Sequence, residues 1–230
     1  MNIRLLLSIL TLLAGATTQA DTIAVIGTGN VGAALGSELA QQGHTVVYGS
    51  RNPLGLKALD LARKTAGKAS TAKPAEAIVG ADIVVLAVPG MVVEEVVLGL
   101  GDLSGKIIID ATNPLVMDEP MHFSYGVSTS NGEIVQAAAP NAKVVKAFNT
   151  VSWQLMIDPE KSAGPLYVPL AGNDKAAKQL VAGLVEKMGL KSIDLGGIEN
   201  AHWTEYGVVV SLNNQFSERQ NYELVFRPVD

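Results

Sequence analysis

Gly27, Gly29 and Gly32 stand in the order G-x-G-x-x-G within TIAVIGTGNVGAALGSELAQQGHTVVYGSR, the stretch from Thr22 to Arg51. Residues of this type and spacing bind rather than react. Gly27 permits a sharp turn, Gly29 leaves no Cβ between the chain and a pyrophosphate, and Gly32 lets a following helix pack closely on the preceding strand. Thr28, Asn30 and Val31 complete the loop and open that helix, whose unpaired N–H groups and positive dipole end stabilise an anion. Ser50 and Arg51 occupy the place, about 20 residues further on, where an NAD-binding unit puts a carboxylate on the ribose 2′-hydroxyl. A serine hydroxyl and an arginine fork suit a 2′-phosphate instead, which selects NADP(H).

The flanking elements must hold this loop. Ile23 to Ile26 form a short apolar run rich in β-branched residues, the pattern of a strand buried on both faces of a parallel sheet. Val31, Leu35 and Leu39 recur at helical spacing as far as Gly43, and Thr45 to Gly49 read as the next strand. Helical spacing follows over 52–67, a short helix opens at Pro74, and apolar strands are expected at 83–88, 106–110 and 143–147. Val88 and Asp110 to Asn113 fall at strand ends, the edge where open α/β sheets bind ligands. Residues 117–132 read as irregular, and 92–100 and 134–139 as helices. Beyond Thr150 the expectation is a strand at 166–170, a helix over 175–188 ended by Gly189, and a strand at 191–195. Together these give an α/β, Rossmann-type doubly wound parallel sheet, with residues 21–150 binding the nucleotide and 151–230 forming a small C-terminal α/β extension.

Composition removes several classes. The chain has 230 residues and no cysteine, which excludes disulfides, thiolate metal ligands and a cysteine nucleophile. Its net charge of −5 comes without a basic cluster, so nucleic acid is not an expected partner. His44, His122 and His202 lack metal-ligand spacing, no metal site is expected, and no residue is assigned a catalytic role. His44 reads as a helix-end histidine, while His202 is a candidate for contact with a ligand. Residues 1–20 read as a secretory signal peptide: Arg4, an uncharged apolar stretch from Leu5 to Ala16, then Thr18-Gln19-Ala20. Export is therefore expected, with a cytoplasmic location as the alternative because NADPH is mainly a cytoplasmic cofactor. The apolar run is too short for a membrane span.

IGTGNVG (26–32), GSRNP (49–53), VVKAFNTVS (144–152), VPLAGND (168–174) and DLGGIENAHWTE (194–205) together resemble the F420-dependent NADP reductase family. The nucleotide domain is similar to that of pyrroline-5-carboxylate reductases and of the STEAP metalloreductases. The resemblance implies a pyrophosphate loop at Thr28, Gly29, Asn30 and Val31 and a 2′-phosphate site at Ser50 and Arg51. It also implies a nicotinamide lining of Val88 and Ala147 to Asn149. Hydride transfer between NADPH and a deazaflavin (F420-like) or flavin acceptor follows as the implied activity, with a small-molecule redox substrate as partner and a homodimer as a possible assembly. Such transfer depends on holding two rings together more than on an acid or base. Two other readings stay open: a non-catalytic NADP-binding or sensing module, and imine reduction of the pyrroline-carboxylate kind.

Overall fold

In the computed structural model, residues 20–65, 69–216, 224 and 226–229 are described. Of the expected signal peptide, only Ala20 falls within them.

The first half alternates strand and helix: β1 (Thr22–Ile26), α1 (Asn30–Gln41), β2 (Thr45–Gly49), α2 (Leu56–Lys64), β3 (Ala69–Ala72) and α3 (Pro74–Ala77). Then come β4 (Ile83–Leu86), α4 (Val93–Leu98), β5 (Ile107–Asp110), the hairpin β6 (Leu115–Glu119) and β7 (His122–Tyr125), α5 (Asn131–Ala138) and β8 (Lys143–Lys146). The remainder is α6 (Trp153–Ile157), β9 (Tyr167–Leu170), α7 (Lys175–Lys187), β10 (Lys191–Asp194) and α8 (Ala201–Gln215). Six strands form one parallel sheet in the order β3-β2-β1-β4-β5-β8. The direction of winding reverses between β1 and β4, which leaves a crevice beyond their carboxyl ends.

Period-two alternation along β1 divides the core. Ile23 and Val25 face a cluster with Leu35, Leu39, Val181 and Leu184, whereas Ala24 and Ile26 face one with Val93, Val97, Val135 and Ile198. Helices therefore cover both faces, as the unbroken apolar strands require. The core continues past Thr150, because Val168, Leu170, Val181 and Val185 from the tail lie in the same cluster as Ile23 and Val25. A single antiparallel bridge between Lys146 and Ala171 joins β8 to the parallel pair β9–β10.

Three departures from the sequence reading have local causes. Residues 115–125, expected as partly irregular, form a hairpin whose turn places Met121 at φ 65°, so the usual glycine signal is missing. The expected helix from Asn52 begins only at Leu56, since Ser50 and Asn52 close a turn (Asn52 N–H to Ser50 Oγ, 3.2 Å) and Gly55 caps the helix. Helix α8, which carries apolar residues all round, went unrecognised for want of an amphipathic stripe. It is tied down by Asn213, whose side chain accepts from Phe123 N–H (2.7 Å) and donates to Phe123 O (2.6 Å) along the edge of β7.

His44 follows the stop of α1 at Gly43 (φ 102°) and is 4 % exposed. The Asp21 main-chain N–H donates to its Nδ1 at 3.2 Å. Burial holds the imidazole below its usual range, Asp21 opposing this and Lys187 adding to it. The unfolded chain then takes up more protons than the folded one as pH falls below the ordinary histidine value of about 6.5, so stability is lost on acidification. Thermal unfolding followed between about pH 7.5 and 5.5 should show a smaller drop in Tm for His44→Gln than for the parent; equal slopes would clear His44 of the effect.

Candidate functional site

Two cavities open at the carboxyl edge of the sheet and share the wall Ala87-Val88-Pro89 that follows β4. The larger, about 800 Å³, is lined by the glycine turn, by Ser50, Arg51 and Asn52 after β2, and by Leu56, Lys57 and Val92. Its size is that of a pocket for a sizeable organic ligand. The smaller, about 330 Å³, is bounded by Val31, Met91, Ala111, Thr112, Asn113 and Leu115.

The three glycines divide their work as their spacing implies. A Cβ on Gly27 (φ 119°) would strike the Ala87 carbonyl, and one on Gly32 would strike the carbonyl of Gly27, so these two permit close packing. A Cβ on Gly29 would meet nothing within 4 Å. That open space lies before the N-terminus of α1, where no side chain caps the first N–H groups. An anionic diphosphate fits there. Arg51 is exposed at the same cavity and, among the described residues, has no hydrogen-bond or ion-pair partner, so its guanidinium is free for a phosphate.

The other sequence-predicted residues fall in different places. Gly27, Thr28, Gly29, Ser50 and Arg51 line the larger cavity, Val31 the smaller, and Val88 both. Asn30 instead lines a shallow depression with Leu61, Lys64 and Trp153. Ala147 is fully buried and Asn149 is 7 % exposed; neither is on a cavity wall. Asn149 acts through Asn113, donating to its Oδ1 (3.0 Å) while Asn113 Nδ2 donates to the Asn149 carbonyl (3.1 Å). Between Ala147 and Asn149, Phe148 is held at φ 66°, a strained conformation for an aromatic residue. His202 is half-buried beside the Glu199 carbonyl and lines neither cavity.

What holds the floor of the smaller cavity was not foreseen. Lys146, at the end of β8, is fully buried with its Nζ 2.9 Å from Asp110 and 2.6 Å from Glu205, both also fully buried. It further donates to the Thr112 carbonyl. Asp110 Oδ1 accepts from Thr112 N–H (2.9 Å) and Oγ1 (2.7 Å), and Asn131 Nδ2 donates to Thr112 Oγ1 (2.8 Å) and to the Gly90 carbonyl (3.1 Å). Glu205 takes the main-chain N–H groups of Asn131 (3.1 Å) and Gly132 (3.3 Å) at the start of α5, and lies 2.7 Å from the Tyr125 hydroxyl. Burial and the Glu205 carboxylate push the Tyr125 phenol well above its usual range, so it remains a donor. The signal in the sequence was a lysine inside KVVKAF, a charge set in an otherwise apolar strand.

A family profile described as NADP oxidoreductase, coenzyme F420-dependent, matches residues 22–114. The F420-dependent NADP reductase of Methanothermobacter marburgensis is 30% identical over 215 residues, spanning 86% of this chain and 93% of the relative. The chain belongs to the F420-dependent NADP reductase family. Members of this family are NADP-dependent oxidoreductases. A crystal structure from Arthrobacter sp. FB24, assigned as an F420-dependent NADP reductase, superimposes with a TM-score of 0.79 at 33% identity, over 89% of this chain and 99% of that one. Metalloreductase STEAP3 of Rattus norvegicus is 29% identical over 198 residues; these cover 84% of this chain but only 37% of the metalloreductase.

Removing Lys146 would leave two carboxylates facing each other in the core. Lys146→Met should cost about 3–5 kcal/mol in urea unfolding, and Tyr125→Phe, which removes one hydrogen bond to a charged group, about 1.5–3 kcal/mol. An unchanged unfolding midpoint for Lys146→Met would show that the buried cluster does not hold the fold.

Proposed function

We propose that this protein passes hydride between NADPH and a flavin or deazaflavin ring, the nucleotide lying in the larger cavity and its nicotinamide passing the Val88-Pro89 edge to stack on the ring in the smaller. The observation that carries this reading is the pair of cavities sharing that wall, one provided with an anion site and a free arginine, the other short and largely apolar. NADPH supplies the hydride, and a solvent proton completes reduction of the ring. The chain's own residues bind and orient. Gly29 and the start of α1 take the diphosphate, Ser50 and Arg51 the 2′-phosphate, and Leu56, Val92 and Val96 give the adenine an apolar slot. Thr112 is fixed by the buried cluster behind it and Asn113 by its pairing with Asn149, so the second wall keeps its shape during turnover.

No group positioned for general acid or base work is required, because hydride transfer between stacked rings involves no proton removal from carbon by the protein. Membership of the F420-dependent NADP reductase family supports redox chemistry with NADP.

Titration with NADPH and NADH tests the cofactor assignment, and oxidation of NADPH in the presence of riboflavin, FMN and coenzyme F420 tests the reaction. Arg51→Ala should weaken NADPH roughly 10- to 150-fold, the worth of one charge-assisted bidentate contact, and leave NADH nearly unchanged. Equal losses for both nucleotides would make Arg51 structural, and NADPH binding without oxidation by any ring acceptor would refute the reductase reading.

A further inference from the structure

We propose that Tyr206 is a specificity-determining residue of the acceptor site: its open ring face carries the outer part of a fused three-ring acceptor whose reacting ring enters the smaller cavity. This rests on the hydride-transfer reading above and deepens it.

The smaller cavity does not hold such an acceptor alone. Its volume of about 330 Å³ stands near the lower end of the range for organic ligands, roughly 300–1,000 Å³, and it must take the nicotinamide as well. A flavin or deazaflavin therefore extends past the rim. None of the described residues lining either cavity is aromatic, so a surface that stacks on a flat ring has to lie beyond the walls.

The hairpin supplies the place. Leu115, on the cavity wall, is paired with Tyr125, and directly opposed residues of an antiparallel pair put their side chains on one face, about 5 Å apart. Tyr206 of α8 lies on the Tyr125 ring with centroids 4.0 Å apart and 13° between the ring planes. Tyr125 is itself held, its hydroxyl 2.7 Å from both the Thr129 carbonyl and the Glu205 carboxylate. Tyr206 is nevertheless 47 % exposed. Because Tyr125 covers one face of its ring, that exposure belongs to the edge and the other face, which stays open to a third ring in the same stack. Trp203, one turn earlier on the same side of α8, is exposed as well, and contiguous apolar surface left in water marks a binding site. Continuity with the cavity wall through Tyr125 and Leu115 joins this surface to the acceptor site.

Riboflavin titrated into protein saturated with NADP+ reads the contact without turnover, since stacking on a phenol quenches flavin fluorescence. Tyr206→Ala should weaken riboflavin binding about 2- to 10-fold, the worth of one aromatic pair, and Tyr206→Phe, which keeps the ring, should restore it. In oxidation of NADPH, the kcat/KM preference for riboflavin over one-ring p-benzoquinone should fall by the same factor in Tyr206→Ala, a ratio that general damage to the fold would not move. Equal riboflavin affinity in the parent and Tyr206→Ala overturns the proposal and leaves the reductase reading intact. A loss that Tyr206→Phe shares, or a change from dimer to monomer in sedimentation with riboflavin affinity unaltered, overturns it too. Binding that depends on Tyr206, without oxidation of NADPH by riboflavin or coenzyme F420, upholds the ring site and overturns the reductase reading.

Discussion

The geometry of the catalytic edge depends on one ammonium. Lys146 joins the ends of β5 and β8 to α8, and through Glu205 to the start of α5, so four elements meet around a single buried charge. Burying such a cluster costs several kcal/mol of solvation per ion, which its mutual attraction only partly offsets. Its hydrogen bonds are nevertheless well supplied: Asp110 receives Thr112 twice, and Glu205 receives two main-chain N–H groups and a phenol. What the arrangement gains is direction. Thr112, Asn113 and Asn131 cannot rotate without leaving a charged or amide group unpaired in the core.

The nucleotide half was legible in the sequence and the acceptor half was not, for a physical reason. A diphosphate site is made by backbone, so its requirement appears as glycines at fixed spacing between a strand and a helix, and Gly27, Gly29 and Gly32 occupy the expected roles. Five of the six strands of the sheet were similarly readable because strands buried on both faces are continuous apolar runs. By contrast, the second cavity is assembled from Met91, Thr112 and Asn113, which are ordinary residues until Asp110, Lys146 and Glu205 are brought together from positions 36 and 59 residues apart. No local pattern records such a meeting. Ser70 and Thr71 in β3, and the glycine-free turn at Met121, escaped notice for the related reason that neighbouring elements rather than intrinsic propensity define them.

Several features of the second half act through intermediaries. Asn149 reaches the cavity only by pairing with Asn113, and Phe148 holds a left-handed backbone between a buried alanine and that amide pair. Tyr125 is stacked on Tyr206 with ring centroids 4.0 Å apart, which fixes the phenol that meets Glu205. The hairpin, α8 and the loop after β8 therefore meet behind the smaller cavity, whose lining residues all lie before Thr150 and which the tail supports through Glu205.

The parallel sheet also separates the two ends of the site in space. Every one of its strands points its carboxyl end toward the cavities, so β1 starts on the far side of the molecule, where the Thr22 N–H meets Asp82 and Asp21 meets His44. An attachment made ahead of Thr22, whether to a resin, a carrier domain or a lipid surface, would leave from the edge opposite the cleft. The catalytic face would then be turned outward, free to exchange nucleotide and acceptor while the molecule is held in place.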